Sequence, residues 1–391
     1  MMDVPEQRSI IAGLGISRIG RRTGIPALEL SLDSSRQAIA DAGLTASDID
    51  GVATLGDTPL AEMEAALGLD LRYTGGGFDT GGLLSPVMSA CLAVAGGRAN
   101  HVLVYRTVQM IGGTMLPAQG SPPPPADGAD PPAAFASIMA DVGPLLASHA
   151  YSAANWLAMH CRRHMHLYGT TKDQLGWLAV TSRGHAGLNP LAVYRQPITL
   201  DDYRSARPVS EPFGLLDCDV PVDGSIAVVV SRAEHAADCP NHPLRVEAMG
   251  GSPGAGGWFH RPDYPAMASC EAAAEMWGRT DLGPADVDVA ELYDGFTFLT
   301  LAWLEALGFC GVGESGPFVE GGSRIGLGGE LPLNTYGGQL SAGRMHGYWV
   351  LHEACTQLRG DAGARQVAGG PEVAVVSNGG GPIAGCLLVT R

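Results

Sequence analysis

Apolar and polar positions alternate along this chain in two registers, one helical and one extended. Residues 29–44 (ELSLDSSRQAIADAGL) carry apolar side chains at helical spacing and end at a glycine-containing turn. Asp48-Ile49-Asp50 then leads into a short apolar stretch, Gly51 to Leu55, which reads as a strand. The Ala-rich segment 82–96 reads as a buried helix closed by Gly96-Gly97, and HVLVYRTV at 101–108 reads as a core strand. Residues 111–133 (IGGTMLPAQGSPPPPADGADPPA) predict neither helix nor strand, because proline denies both kinds of backbone bond. They are expected to form a surface loop or an insertion. Residues 148–190 read as mainly helical and carry a run of rings: His149, Tyr151, Trp156, His160, His164, His166 and Tyr168.

The C-terminal part repeats the earlier grammar. A helix over 266–279 is followed by a turn and the strand-like VAEL. The spacing Leu44-x3-Asp48-Ile49-Asp50 matches Leu282-x3-Asp286-Val287-Asp288. Strands 101–108 and 372–377 are each a late apolar strand of their half. Repeated helix–turn–strand units predict two copies of one layered α/β domain.

Composition narrows the function. The chain has 391 residues, 46% apolar and only 16% charged. An average soluble protein carries roughly 25% charged residues. So few charges on so long a chain predict a large core and a buried subunit interface. The net charge of −16 disfavours a nucleic-acid partner, since no basic stripe exists to displace counterions. No apolar run reaches membrane-spanning length, and MMDVPEQRSIIAG lacks a signal-peptide pattern, so a cytoplasmic protein is expected. None of the eight cysteines forms a CxxC pair, which disfavours zinc and predicts buried free thiols. His160 and His164 share metal-ligand spacing, but Arg162-Arg163 lies between them and no HExxH glutamate accompanies them. They are expected on a helix surface or at an interface, and no metal site is expected.

Several motifs, in order along the chain, carry a family resemblance. They are LLDCDVPVDGSIAVVVS (215–231), ELYDGFTFLTLAWLEALGFCGVGESGPFV (291–319), LPLNTYGGQLSAGRMHGYWVLHEACTQLRG (331–360) and the terminal SNGGGPIAGCLLVTR. Together they resemble the thiolase superfamily, in its sterol-carrier-protein-type and lipid-transfer-protein branch. The resemblance implies a duplicated five-layered αβαβα fold with an inserted loop domain. It implies an N-terminal half at 1–111, a loop domain at 112–225 and a C-terminal half at 246–391. The N-terminal sheet would resume at about 215–245. It also implies a tight homodimer.

The departures from that pattern bear on the chemistry. A thiolase needs a nucleophilic Cys at a helix start, where the helix N-terminus lowers the thiol pKa. Counting back from Gly97-Arg98-Ala99 puts that position at or near Thr80 in FDTGGLLSP. Cys91 lies about three turns further on and is expected in the core. The second catalytic Cys of thiolases is also missing from the loop Ser377-Asn378-Gly379-Gly380-Gly381. The thiolase GHP histidine corresponds to Arg344, and the NEAF-like position to Tyr293. This pattern resembles the sterol side-chain aldolases, through YD-x-F, GGQLS, HG and the trailing EACTQLRG. They cleave β-hydroxyacyl-CoA esters to a ketone and a shorter acyl-CoA. In that branch tyrosines at the positions of Tyr293 and Arg344 are implicated, and only the first carries over.

Retro-aldol cleavage needs a base for the β-hydroxyl, donors for the enolate oxygen and an acid for the α-carbon. Tyr293 is the first acid/base candidate. A free phenol has a pKa of about 10, so to act as a base it would need a cation such as Arg344 beside it. His346 is a donor or proton shuttle, or else a helix-start histidine bonded to backbone. Asp294 orients a partner or caps a turn, and Tyr348 stands in for the missing tyrosine. Thr80 and the amides after it would meet the thioester at a helix N-terminus. Asn378 and Gly379, with Gly337-Gly338, would let backbone approach the substrate. No cofactor of its own is expected, coenzyme A entering as part of the substrate. The resemblance further implies a small OB-fold and zinc-ribbon partner in an α2β2 assembly. An acyltransferase, a C–C bond-forming biosynthetic enzyme and a non-catalytic acyl-CoA-binding subunit stay open beside the aldolase.

Overall fold

The computed structural model describes residues 4–56, 58–77, 81–110, 142–252 and 257–391. The proline-rich stretch and Thr80, both singled out above, lie outside the described residues. The strands are β1 (Ser9–Ile16), β2 (Gly51–Thr54), β3 (Tyr73–Gly76), β4 (His101–Gln109), β5 (Pro208–Ser210), β6 (Phe213–Gly214), β7 (Asp223–Arg232), β8 (Leu244–Ser252), β9 (Val289–Glu291), β10 (Val373–Gly380) and β11 (Ile383–Thr390). Apart from the small β5–β6 pair, they form one sheet in the order β3-β2-β4-β7-β1-β8-β11-β10-β9.

Apart from the edge strand β3, that order is one half written twice. β2 runs parallel to β4, which pairs antiparallel with β7, and β7 antiparallel with β1. Likewise β9 runs parallel to β10, which pairs antiparallel with β11, and β11 antiparallel with β8. The halves meet through β1 and β8 at Ile10 and Ile11. The repeated aspartates do the same work in each copy. Asp48 and Asp286 accept the N–H of Thr45 and Gly283, both at 2.8 Å, and cap equivalent turns. Asp50 accepts the N–H groups of Asn100 and His101, and Asp288 those of Glu372 and Val373, at 2.8 and 3.0 Å in both halves. Gly13 and Gly250 are matched too. A Cβ on either would lie 2.0 Å from a helix carbonyl, of Ala38 or of Ala272, so only glycine lets strand and helix approach this closely.

Side-chain alternation builds the layers. Ile11, Val104, Val228 and Val230 face one core, while Ile10, Leu103 and Val229 face another under the helix Ala27–Asp41. In the second half Leu387 and Val389 join the first core, and Cys386 and Leu388 a third core with the helix Ser269–Trp277. The shared central core holds the helices Ser85–Ala95 and Tyr348–Arg359. Helix, half-sheet, central helices, half-sheet and helix make the five layers. The helix Tyr348–Arg359 is buried nearly all round, as a central position requires.

The helices Ala153–Tyr168, Lys172–Leu188 and Leu200–Ser205 fall between β4 and β7 in sequence. Here one expectation is corrected. His160 and His164 are not surface residues: they are 0% and 3% exposed. His160 lies among Phe259, Tyr264 and Trp258, with ring centroids 4.5–6.1 Å away. His164 Nε2 sits 3.0 Å from Glu305 Oε1, and its Nδ1 3.0 Å from the Thr170 hydroxyl. Aromatic side chains of the C-terminal half pack round the His160 ring and Glu305 binds that of His164, which draws this helix face inward.

Candidate active site

Three separate segments converge beside the central helix Tyr348–Arg359. The first is Leu292 to Phe296, leaving the end of β9. The second runs from Asn334 through a π-helical turn, Gly338–Ala342, to His346. The third is Cys218 to Val222, which leads into β7. Backbone bonds stitch them together. Asp219 N–H donates to Gly295 O at 3.1 Å, Val220 N–H to Gln339 O at 2.9 Å, and Arg344 N–H to Val220 O at 2.8 Å. Single-turn π-helices are rare and recur at functional sites, and this one carries the glycines and amides of GGQLSA.

Asp294 explains that turn. Its Oδ1 accepts the Gln339 N–H at 2.9 Å and its Oδ2 the Leu340 N–H at 3.4 Å. A Cβ on Gly338 would stand 2.0 Å from Asp294 Oδ2, and the φ there is +64°. Asp294 is fully buried, and burial pushes its carboxyl up to about 7 despite those amides. Its observed partners are thus those of a turn-holding residue.

Tyr293 is 8% exposed, and its backbone N–H is held by Ser377 Oγ at 3.0 Å. Its hydroxyl lies over Gly295, where a Cβ would be 3.3 Å from it. Burial pushes the phenol up to about 12, with Arg344 opposing and Asp219 and Asp294 adding to the rise. This differs from the expectation that Arg344 would make the phenol a base. Arg344 spends its charge elsewhere: its Nε lies 3.1 Å from Asp219 Oδ2. Burial lifts the Asp219 carboxyl to about 6, and Arg344 restrains that rise. At neutral pH the site therefore holds a protonated phenol beside an ionised carboxylate.

His346 is buried, with Arg106 Nη2 hydrogen-bonded to its Nδ1. Arginine only donates, so Nδ1 must accept, and the neutral ring carries its proton on Nε2. Burial and the charges of Arg344 and Arg106 hold the ring well below the usual histidine range. It is a neutral donor. Its backbone is left-handed, at φ +50°, and Asn378 Nδ2 fixes it by donating to its carbonyl at 2.8 Å. A Cβ on the next residue, Gly347, would stand 1.5 Å from that same Nδ2. Asn378 Oδ1 is buried without a hydrogen-bond partner among the described residues. Gly379 lies near the end of β10, paired with Ala384 at φ +80°, where a Cβ would stand 2.4 Å from Ile383 O. Tyr348 is fully buried at the start of the central helix. Below the site lies a carboxyl pair. The Thr335 hydroxyl is 2.7 Å from Glu291 and 2.8 Å from Glu353, and Arg365 holds Glu353 with two bonds. Burial and the neighbouring Glu353 push the Glu291 carboxyl well up.

The structure thus brings Tyr293, Asp294, Arg344, His346 and Asn378 together and adds Asp219, Arg106 and Gln339, which sequence reasoning missed. Arg106 had a readable signal, a lone charge inside the apolar strand HVLVYRTV. Asp219 had only its place in a motif. The thiols offer no alternative nucleophile. Burial pushes Cys91, Cys218, Cys310 and Cys355 up to about 12, and it raises Cys161, Cys239, Cys270 and Cys386 as well.

Comparison with known proteins adds independent findings. Residues 257–387 match the family model of the thiolase C-terminal domain-like family. The chain is 35% identical to a 17-hydroxy-3-oxo-4-pregnene-20-carboxyl-CoA lyase of Mycobacterium tuberculosis (strain ATCC 25618 / H37Rv), over 97% of this chain and 99% of that protein. It is 34% identical to a steroid side-chain-cleaving aldolase of Thermomonospora curvata, over 99% of each. A solved Ltp2-ChsH2(DUF35) aldolase superposes with a TM-score of 0.89 at 32% identity, covering 100% of this chain and 99% of that one.

Proposed function

The chain belongs to the thiolase superfamily, among its steroid side-chain-cleaving aldolases, and from that premise we propose that it splits a β-hydroxyacyl-CoA ester with an apolar, steroid-like side chain by retro-aldol cleavage. It is a carbon–carbon lyase. The products are a ketone and a shorter acyl-CoA, and no acyl-cysteine forms. The observation that carries this reading is the 34–35% identity to two steroid side-chain-cleaving lyases over nearly the whole of each chain, and the burial that raises the thiols agrees with a reaction that forms no acyl-cysteine.

In this reading Tyr293 is the acid that protonates the α-carbon of the departing enolate. His346 offers its Nε2–H to the thioester oxygen, where negative charge develops, from a buried site that strengthens such a bond. Arg344 supplies the positive charge of the pocket, and Asn378 holds His346 in place. Asp294 shapes the π-turn whose backbone faces the substrate. Thr80, Tyr348 and Gly379 stay as substrate-contact proposals from sequence alone. Coenzyme A enters only as part of the substrate, and the chain binds no further cofactor. A partner subunit is proposed by analogy with the Ltp2-ChsH2(DUF35) aldolase, and the homodimer, the small OB-fold and zinc-ribbon character of the partner and the α2β2 assembly are proposed from the family resemblance alone. No helix among the described residues is long and apolar enough to cross a membrane, and a cytoplasmic location is part of the proposal.

The test uses protein purified from its native host with any subunit that accompanies it. It is given a β-hydroxyacyl-CoA bearing a steroid-like tertiary alcohol, without free CoA, and products are read by mass spectrometry. Ketone plus shorter acyl-CoA is expected. Substrate bound but unchanged would overturn the aldolase reading in favour of a binding subunit.

A further inference from the structure

We propose that Asp219 is the general base of the cleavage, taking the proton of the substrate's β-hydroxyl while Arg344 keeps its carboxylate charged and aimed. This rests on the retro-aldolase reading above. The contrast between two aspartates in one tripeptide leads to it. Asp217 is saturated: it accepts from the Tyr203 hydroxyl at 2.5 Å, the Thr297 hydroxyl at 2.7 Å, Gly214 N–H at 2.7 Å and Lys172 at 2.6 Å. It is a structural anchor. Asp219, two residues on, has one polar side-chain partner among the described residues, Arg344 at 3.1 Å. Its side chain is 12% exposed and Arg344's 29%, so the pair opens toward solvent where Asp217, at 0%, does not.

Its place is built, not accidental. The Asp219 N–H is tied to Gly295 O, on the turn that carries Tyr293, and Val220 is bonded on both sides to the π-turn segment. The charged and titratable groups that face it are Arg344, Tyr293, Asp294 and Cys218. Of these, the phenol and the thiol are protonated at neutral pH and Arg344 is the cation. Asp219, lifted to about 6, is ionised there and basic enough to accept a proton. Environments that push two groups apart define which is acid and which is base, and here the order is Asp219 base, Tyr293 acid.

The step balances. The hydroxyl proton passes to the Asp219 carboxylate, and the oxygen lone pair becomes the new C=O bond of the ketone. The Cα–Cβ pair moves to the enolate, with charge on the thioester oxygen. Tyr293 then gives its proton to Cα, and the phenolate recovers one from the Asp219 carboxylic acid. One proton moves from oxygen to carbon, and no water or oxidant is used.

The test is D219N in the native complex, with R344Q beside it. For D219N, kcat is expected to fall at least 100-fold with KM within threefold, and the acid limb of kcat/KM near pH 6 to vanish. For R344Q, whose arginine no longer restrains the carboxyl, the acid limb is expected to move up by about one pH unit. Wild-type cleavage with D219N within fivefold and an unchanged acid limb overturns the inference alone. A wild type that never cleaves overturns the aldolase reading, and the inference with it. Should D219N fail to fold, an R344Q acid limb that stays where wild type has it overturns the inference.

Discussion

Replacing Tyr293 with phenylalanine separates chemistry from architecture at this site. The ring is 8% exposed and stays in place in Y293F, packed by the same neighbours, so little apolar contact is lost. One hydroxyl disappears, worth at most about 1–2 kcal/mol of stability even where it makes a buried hydrogen bond. For a chain this long that lowers Tm by no more than about 4 °C. The catalytic cost is of another size. General acid–base catalysis contributes typically about 100- to 10,000-fold. That is about 2.7–5.5 kcal/mol on the barrier. A phenol pushed up to about 12 keeps its proton through the working pH range, so the lost function is proton donation rather than abstraction.

The assay is initial-rate formation of the shorter acyl-CoA by mass spectrometry, with unfolding followed on the same preparation. Y293F is expected to lose at least 99% of kcat while Tm moves by less than about 4 °C and product acyl-CoA still binds. A variant that keeps more than a tenth of wild-type kcat refutes the assignment of the proton to Tyr293. It would redirect attention to His346, the other donor in the pocket.

Three further outcomes follow from the same geometry. Thiol alkylation of the folded protein at pH 8 is expected to leave cleavage intact, since every thiol is raised above its ordinary value; inactivation in step with labelling of a single Cys would restore covalent catalysis. R365A strips Glu353, itself 0% exposed, of a two-bonded cation. Breaking such a buried pair from one side costs about 3–5 kcal/mol, read as a shifted denaturant midpoint, and a loss under 1 kcal/mol would count against it. The buried Asp294 carboxyl is raised from 3.8 to about 7, so the folded state holds that proton more tightly than the unfolded chain. Its stabilisation is complete below about pH 4 and is lost as pH rises through 7, at most about 4 kcal/mol in all. The Tm advantage of wild type over D294N is therefore expected to shrink between pH 4 and pH 8, and parallel Tm–pH curves would contradict the burial argument.

The duplicated scaffold was legible because its signals are local. Helix spacing, the turn aspartates Asp48 and Asp286, and the strand-holding Asp50 and Asp288 each act within a few residues or one sheet pairing. So the matched spacing of Leu44 to Asp50 and Leu282 to Asp288 was a true repeat. His160 and His164 were misplaced because their partners, Tyr264 and Glu305, come from a distant stretch that helix periodicity says nothing about. The site was half legible for the same reason. Tyr293, Arg344 and His346 sit in motifs, but what their charges act on depends on segments far away in sequence. Burial keeps the ring of His346 neutral while Arg106 occupies its Nδ1, and Asp219 claims the guanidinium that was assigned to the phenol.

That last point gives the arginine at position 344 a physical reason. A tyrosine there, as the resemblance implies for the branch, would leave the Asp219 carboxylate in a low-dielectric pocket with no cation beside it. A buried carboxylate stripped of its counter-charge takes up a proton instead. Restoring the family residue should therefore harm this chain. R344Y is expected to cleave more slowly than wild type at pH 7 and to regain rate as pH rises, because Asp219 must then be ionised without help. Pairing it with D219N removes the stranded charge, so the double variant should be more stable than R344Y alone, by unfolding midpoint. An R344Y enzyme as fast as wild type at pH 7 would mean that the arginine and the aspartate act independently. The site would then be a family pocket with one tolerated substitution rather than a rebuilt acid–base pair.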